Sequence, residues 1–166
     1  MLKTDRLLII DLKPEDVRMW VDDVSLLEHK YNVTYLGEDL SNEFGAIVAK
    51  QADVIANDPI HYLWLTFWWF VRQNDRVVLG SACFKSVPHN GQVEIGYGIA
   101  PQYARQGYTT EAIKALCAFA FTFDSVTAVI AETDPNNLAS QRVLQKCGMI
   151  NYEKTEKSYW WRLVKP

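Results

Sequence analysis

Few side chains in this sequence could build a disulfide framework or a metal centre. The cysteines Cys83, Cys117 and Cys147 are odd in number, and each lies among apolar residues. The three histidines are separated from one another and from the cysteines, so no metal-ligand spacing appears. We therefore expect buried free thiols in a reducing compartment and no metal site.

The sequence also lacks a long apolar run and an excess of positive charge. The longest apolar run, residues 62–71, is interrupted by Thr66 and is about half of the ~20 residues that a membrane span needs. The first residues lack the apolar segment of a signal peptide. The net charge of −3 argues against a nucleic-acid partner. We expect a soluble cytoplasmic protein with neither a membrane nor a nucleic acid as partner.

The chain has enough apolar residues for a core of its own. It has 166 residues, of which 49% are hydrophobic, and no linker, repeat or low-complexity segment. We expect one domain over residues 1–166.

The hydrophobic patterns predict strands and helices in a mixed order. A strand at 6–12 precedes two helical regions, one starting at Pro14 and the other near Asp39 with Ser41 as candidate cap. A three-strand meander follows, then a helix, a strand, a second helix and two closing strands. The later elements are expected at 62–72, 77–85, 92–99, 108–123, 126–133, 134–147, 149–153 and 158–164. This order predicts an α+β fold with a mostly antiparallel sheet of about seven strands and about four helices on its faces.

The stretch from Val93 to Phe123 is the most informative part of the sequence. A strand leads into a short loop, Arg105-Gln106-Gly107, which opens a helix at Tyr108. A helix start has main-chain N–H groups without partners and the positive end of a dipole. Such a start after a glycine-containing loop is suited to bind phosphate.

The strand before this loop carries two glycines on one face. By alternation, Glu94, Gly96 and Gly98 share that face, whereas the opposite face is apolar. Glycine within a strand is one way to let a ligand approach closely, so an extended molecule could lie here with its phosphates at the loop and its reactive end near Glu94. The alternative is that the glycines only allow a twist or bulge and that Glu94 is solvated.

These two motifs, in this strand order, resemble the GNAT N-acetyltransferase superfamily and, within it, the RimJ/RimL-like branch. The resemblance covers nearly the whole chain and is most specific between Arg105 and Gly148. The segments that carry it are Thr4-Asp-Arg-Leu7, Glu94-Ile-Gly-Tyr97, Gly107-Tyr-Thr-Thr-Glu-Ala112, Asn137-Leu-Ala-Ser140 and Arg142-Val-Leu144.

The resemblance implies a splayed sheet with acetyl-CoA in the V-shaped opening between the strands at 92–99 and 126–133. It implies that the pyrophosphate is held by main-chain N–H groups of a run of loop and helix residues, and that the cofactor also contacts Ile99 and Asn137. Asn137 could cap its helix, contact the pantetheine, or do both. The run comprises Arg105, Gln106, Gly107, Tyr108, Thr109 and Thr110.

The sequence departs from the family pattern at four positions. Ala104 and Thr109 replace the first and last residues of the loop pattern, and the bulk of Thr109 is expected to weaken cofactor binding at most. Leu144 stands where many relatives carry a tyrosine that acts as general acid. Gly98 stands where this branch often has an aromatic residue, which predicts a roomier site.

The reaction implied is direct transfer of the acetyl group to an amine. Because only the neutral amine attacks, a base or a water chain must take a proton. We expect Glu94 to do so through water, with Glu132 as the second candidate. Ser140 is the candidate donor to the leaving thiolate, although a serine in the first turn of a helix often only bonds to the backbone. Positioning alone could also supply much of the rate.

Other residues are better explained by packing. Cys147 precedes a glycine that ends a helix and is expected in the core. The tryptophans of the strand at 62–72 are also expected in the core, although one face of that strand could line an acceptor pocket. Those tryptophans are Trp64, Trp68 and Trp69.

Two alternatives to an enzyme remain open from the sequence. One is a non-catalytic acyl-CoA-binding or sensing module. The other is a phosphate-binding module unrelated to CoA, although Gly107-Tyr-Thr lacks the Lys-Ser/Thr pair of a P-loop. For an enzyme, the acceptor would be a primary amine of a small molecule or a protein N-terminus, and a homodimer is compatible with the resemblance.

Overall fold

The computed structural model describes residues 1–166 and contains one sheet of nine strands and six α-helices. No helix is both long and apolar enough to cross a membrane. The strands are β1 Leu2–Lys3, β2 Leu7–Asp11, β3 Thr34–Tyr35, β4 Phe67–Arg72, β5 Val77–Phe84, β6 Gln92–Ile99, β7 Ala128–Thr133, β8 Ile150–Lys154 and β9 Tyr159–Val164. The helices are α1 Pro14–Asp22, α2 Val24–Tyr31, α3 Glu43–Asn57, α4 Tyr62–Leu65, α5 Tyr108–Ala120 and α6 Leu138–Lys146.

The sheet is mixed and mostly antiparallel. Its order is β1-β2-β4-β5-β6-β7-β9-β8, with β3 beside the first residues of β5. Along the main path only β6 and β7 run parallel. The expected α+β class is confirmed. The strand and helix counts exceed seven and four because two strands have only two residues each and α4 has only four.

Helices cover both faces of the sheet, so there are two cores. One core includes Leu116 of α5, and the other includes Val17 and Val48 of α1 and α3. Alternate residues of β4 enter opposite cores: Trp68 belongs to the first and Trp69 to the second. A strand buried on both faces reads as a continuous apolar run, which explains the aromatic-rich sequence of β4.

The region before β4 differs from the sequence-based expectation. Residues 62–65 form the short helix α4, and the strand begins at Phe67. Pro59 starts a 3₁₀ turn that leads into α4. The buried Thr66 ends the helix, because its N–H donates to Tyr62 O at 2.7 Å and its hydroxyl donates to Leu12 O at 2.6 Å.

Helix α3 is capped one residue later than expected. Asn42 Oδ1 accepts a hydrogen bond from Phe44 N at 2.9 Å, so Asn42 is the N-cap. The Ser41 hydroxyl instead donates to Asp39 Oδ2 at 2.8 Å. The prediction of Ser41 as the cap was therefore wrong, although the start of the helix was close.

The feature that creates the site is the divergence of β6 from β7. The two strands pair only at residues 92–94 of β6, whereas residues 95–99 pair with β5 on the other side. Beyond Glu94 the edge of β6 that faces β7 has no strand partner, which gives the expected V-shaped opening.

Burial predicts a large difference between two leucines of α6. Leu144 is 0% exposed and lies in the α5-side core, whereas Leu138 is 59% exposed. We expect Leu144→Ala to lower the free energy of unfolding by about 2–5 kcal/mol. Leu138→Ala, the matched control, should change it by about 0.5 kcal/mol or less. Urea unfolding of both variants measures this, and equal losses would contradict the packing described.

Candidate functional site

The loop before α5 presents a row of unpaired main-chain donors. Arg105 and Gly107 have positive φ angles of 63° and 85°, so the chain turns sharply into the helix. No N–H group from Arg105 to Thr110 donates a hydrogen bond within the protein; the first that does is Glu111 N, to Gly107 O at 3.1 Å. Six consecutive donors at the positive end of a 13-residue helix form a site for a phosphate or diphosphate.

The start of the chain holds this loop in place. Arg6 Nε donates to Glu111 Oε2 at 2.7 Å, and Arg6 Nη1 donates to Gln106 O at 2.9 Å. The Thr4 hydroxyl donates to Glu111 Oε1 at 2.6 Å. The Arg6 guanidinium also stacks on the Tyr108 ring, 4.4 Å from its centroid. The sequence marked Thr4 to Leu7 as a motif but assigned it no role; its role is to fix the loop.

The two departures in the loop pattern are accommodated. Ala104 is exposed, and its N–H donates to Pro101 O at 3.1 Å. Thr109 is buried, so its additional bulk packs within the protein. The structure therefore gives no reason to expect either residue to obstruct a ligand at the loop.

The free edge of β6 carries main-chain groups suited to an amide-bearing ligand. Lys85 N donates to Glu94 O, and Ala100 N donates to Leu79 O, each at 2.9 Å. The even-numbered residues of β6 thus direct their main-chain N–H and C=O groups toward β5. By alternation, Tyr97 and Ile99 direct their main-chain N–H and C=O groups into the opening. An extended chain with amides could pair there by strand addition.

Tyr97 and Ser140 meet across the opening. The Tyr97 hydroxyl lies 2.8 Å from Ser140 Oγ, while Asn137 Oδ1 caps α6 by accepting from Ser140 N at 3.0 Å. Burial raises the pKa of Tyr97, and the hydrogen bond with Ser140 opposes that rise only in part. The Ser140 side chain is therefore bonded to a phenol rather than to the helix backbone. The sequence had placed Tyr97 on the apolar face without a role.

The glycine-bearing face of β6 is covered by side chains of the protein itself. Glu94 forms an ion pair with Lys85. A Cβ on Gly96 would lie 3.4 Å from Lys85 Cε, and a Cβ on Gly98 would lie 2.5 Å from the carboxylate carbon of Glu38. The expectation of a roomier site at Gly98 was wrong, because Glu38 fills the space that a larger residue would take.

A pocket of about 170 Å³ opens beside this face. It is mostly apolar, and Glu38 is its charged group. Cys83 also lines it, and burial raises the pKa of this thiol to about 11, so the thiol is neutral. Glu132, the second candidate base, is exposed on β7 and forms no ion pair. No cluster of metal-ligating side chains forms here or elsewhere in the protein.

Cys147 and Leu144 both lie in the α5-side core. Cys147 is buried in the α5-side core, with its thiol 3.6 Å from Thr110 O. Leu144 is fully buried in the same core, so its side chain contributes to packing there.

Comparison with known proteins identifies the family. The family model described as "Acetyltransferase (GNAT) domain" matches residues 6–150. The chain belongs to this family. Among curated GNAT relatives, the N-acetyltransferase YjdG of Bacillus subtilis is 31% identical over 100 residues, which is 59% of this chain. The chain spans 60% of the length of that relative and about half of two further Bacillus relatives, for which the shares are 46% and 52%.

Solved GNAT structures have the same fold over nearly the full chain. RimL, titled a ribosomal L7/L12 alpha-N-protein acetyltransferase in complex with coenzyme A, aligns with TM-score 0.67 at 12% identity, over 97% of this chain and 95% of its own. PseH of Campylobacter jejuni, in complex with acetyl coenzyme A, aligns with TM-score 0.63 at 12% identity, over 96% and 99%. The GNAT fold expected from the sequence is thus confirmed.

The contacts of Glu111 predict that its negative charge helps to fix the loop at 105–107, through Arg6. Burial acts to raise the pKa of Glu111, but the hydrogen bonds from Thr4 and Arg6 outweigh it and hold the pKa below its usual value of 4.5. This stabilisation is complete above that value and is lost as the pH falls through the lower folded-state pKa. We expect Glu111→Gln to weaken acetyl-CoA binding about threefold to tenfold at pH 7, by isothermal titration calorimetry.

The matched control for that change is Glu156→Gln, at an exposed position. The Glu156→Gln variant should bind acetyl-CoA with unchanged affinity. Unaltered affinity in Glu111→Gln would show that the loop keeps its shape without the Arg6 contact.

Proposed function

We propose that this protein is an N-acetyltransferase that transfers an acetyl group from acetyl-CoA directly to a primary amine of a small molecule or a protein N-terminus. The observation that carries the proposal is the run of six unpaired N–H groups from Arg105 to Thr110, next to the free edge of β6. The six N–H groups are suited to bind a diphosphate. The free edge of β6 is suited to pair with the amide-bearing arm that follows the diphosphate in coenzyme A.

The residues present fit this cosubstrate. The loop and the first turn of α5 would hold the diphosphate through main-chain N–H groups. The main chain of Tyr97 and Ile99 would pair with the pantetheine amides. The side-chain N–H₂ of Asn137 has no partner within the protein and could donate to the same arm. Acetyl-CoA supplies the activated acetyl thioester.

Proton transfer is assigned to groups on both sides of β6. Glu94 takes the proton of the acceptor ammonium through water, because only the neutral amine can attack. Lys85 is the ion-pair partner of this carboxylate. Ser140 would donate a hydrogen bond to the leaving thiolate, and the Tyr97 hydroxyl, hydrogen-bonded to Ser140 Oγ, would support that donation. Leu144 cannot contribute, because it has no ionisable group and is buried.

The homodimer considered from the sequence remains a prediction, which light scattering would test. The same holds for the cytoplasmic location and for the single domain over residues 1–166.

Binding of acetyl-CoA is the first test of the proposal. At 100 times its dissociation constant, a ligand specific for the native state adds about 2.7 kcal/mol of stability. For a chain of this size we expect a rise in melting temperature of roughly 5–10 °C. Gly107→Val should reduce the rise, because a β-branched residue at a φ of 85° distorts the loop. An equal rise with inorganic pyrophosphate alone would favour a phosphate-binding module.

Turnover tests the assigned roles. Release of CoA thiol with a panel of amines should fall about 100-fold in Glu94→Gln and at least tenfold in Ser140→Ala, because general acid–base catalysis typically contributes such factors. Acetyl-CoA affinity should change less than threefold in both. Lys85→Gln keeps the Glu94 carboxylate and is the control for loss of the ion pair; it should retain most activity. Full activity in both variants across pH would refute the roles, and no thiol release with any amine would favour the sensing module.

A further inference from the structure

The Glu38 carboxylate lines the pocket beside Gly98. Glu38 lies in the loop between β3 and α3, and the Tyr35 hydroxyl fixes that loop by donating to Glu38 O at 2.6 Å. The carboxylate extends over Gly98, where there is no side chain to displace it. Its Oε2 accepts one long hydrogen bond, from Ser81 Oγ at 3.3 Å.

This carboxylate has no cationic partner in the protein. No lysine, arginine or histidine forms an ion pair with Glu38, and Lys85, which lies beside Gly96, is paired with Glu94. The neutral thiol of Cys83 and the exposed carboxylate of Asp39 are the other titratable neighbours besides Tyr35. Burial raises the pKa of Glu38, and the Ser81 hydrogen bond only partly opposes this rise. A half-buried carboxylate without a partner is costly, and a bound cation would remove that cost.

The walls of the pocket restrict what else a ligand can carry. They are formed by apolar side chains of α3 and β4, among them Phe44, Ile47 and Phe67. No basic residue lines the pocket, so a ligand carboxylate would meet Glu38 without compensation.

The pocket and the cofactor opening share one segment of β6. Gly96, Tyr97 and Gly98 line the pocket, whereas the main chain of Tyr97 and Ile99 borders the opening. A ligand amine near Gly98 would therefore lie against β6, the strand whose free edge would pair with the pantetheine arm.

We infer that Glu38 binds the ammonium group of the acceptor, and that the acceptor is a primary amine with a small apolar skeleton and no carboxylate on the amine-bearing carbon. The inference rests on the proposed function and names the substrate class for that site. Glu38 acts here as the residue that binds and selects the amine, whereas proton removal stays with Glu94.

The test compares three amines that share the 3-methylbutyl group: 3-methylbutylamine, leucine and leucinamide. Leucine carries a carboxylate on the amine-bearing carbon, and leucinamide carries a neutral amide there. With the native protein and saturating acetyl-CoA at pH 7, we expect kcat/KM for leucine to be at least about tenfold below that for the other two. In Glu38→Gln the KM for 3-methylbutylamine should rise about 10- to 100-fold with kcat changed less than threefold, because a hydrogen bond to a charge is lost. In the same variant, the ratio of kcat/KM for 3-methylbutylamine to kcat/KM for leucine should decrease.

Two further variants keep the test independent of folding. Glu43→Gln, at an exposed position at the start of α3, is the matched control and should behave as the native protein. Gly98→Ala would displace the Glu38 carboxylate and should reproduce the KM effect. The acetyl-CoA-induced rise in melting temperature should be unchanged in all three variants.

The outcomes separate this inference from the proposed function. If the native protein shows no response to acetyl-CoA, the proposed function fails. If it binds acetyl-CoA and acetylates amines, but Glu38→Gln leaves KM and the leucine discrimination unchanged, only the inference fails. Equal rejection of leucinamide and leucine would also overturn it, because size rather than charge would then decide.

Discussion

The divergence of β6 from β7 is the constraint on which the rest of the site depends. β6 pairs with β7 for three residues and then with β5 alone. The unpaired polar groups of its free edge would be a liability in an ordinary sheet, because they invite another chain to pair. Here they lie between two walls of the same protein, where a ligand with its own amides can satisfy them. The loop at 105–110 follows this edge in the chain, so consecutive parts of one segment would bind the diphosphate and the arm.

The same strand also separates two groups of polar side chains. Tyr97 projects toward α6 and meets Ser140, whereas Gly96 and Gly98 leave the opposite face to Lys85, Cys83 and Glu38. The period of two in a β-strand therefore places the proposed donor to the leaving group on one face and the carboxylates of Glu94 and Glu38 on the other.

The sequence predicted the parts of the site that depend on local pattern. The bounds of β6, the loop with Gly107 and the start of α5 at Tyr108 all agree with the structure, since alternation, glycine and helix periodicity act over a few residues. The start of β4 was misjudged because a short apolar run such as residues 62–65 fits a helix or a strand equally well. Glu38 was missed because its loop has no periodicity. The Lys85–Glu94 pair depends on strand register, which no local pattern reveals.

The contact between Arg6 and Glu111 joins residues 105 positions apart in the chain. Contacts of such long sequence separation form late and slowly in folding, because a large loop must close before they stabilise anything. A fragment that contains only β6 and α5 should therefore not keep the geometry of residues 105–110. Grafting that unit alone into another scaffold would transfer the glycine and the helix but not the arginine that restrains them. The capacity to bind the cofactor is in this sense a property of the chain topology rather than of the motif.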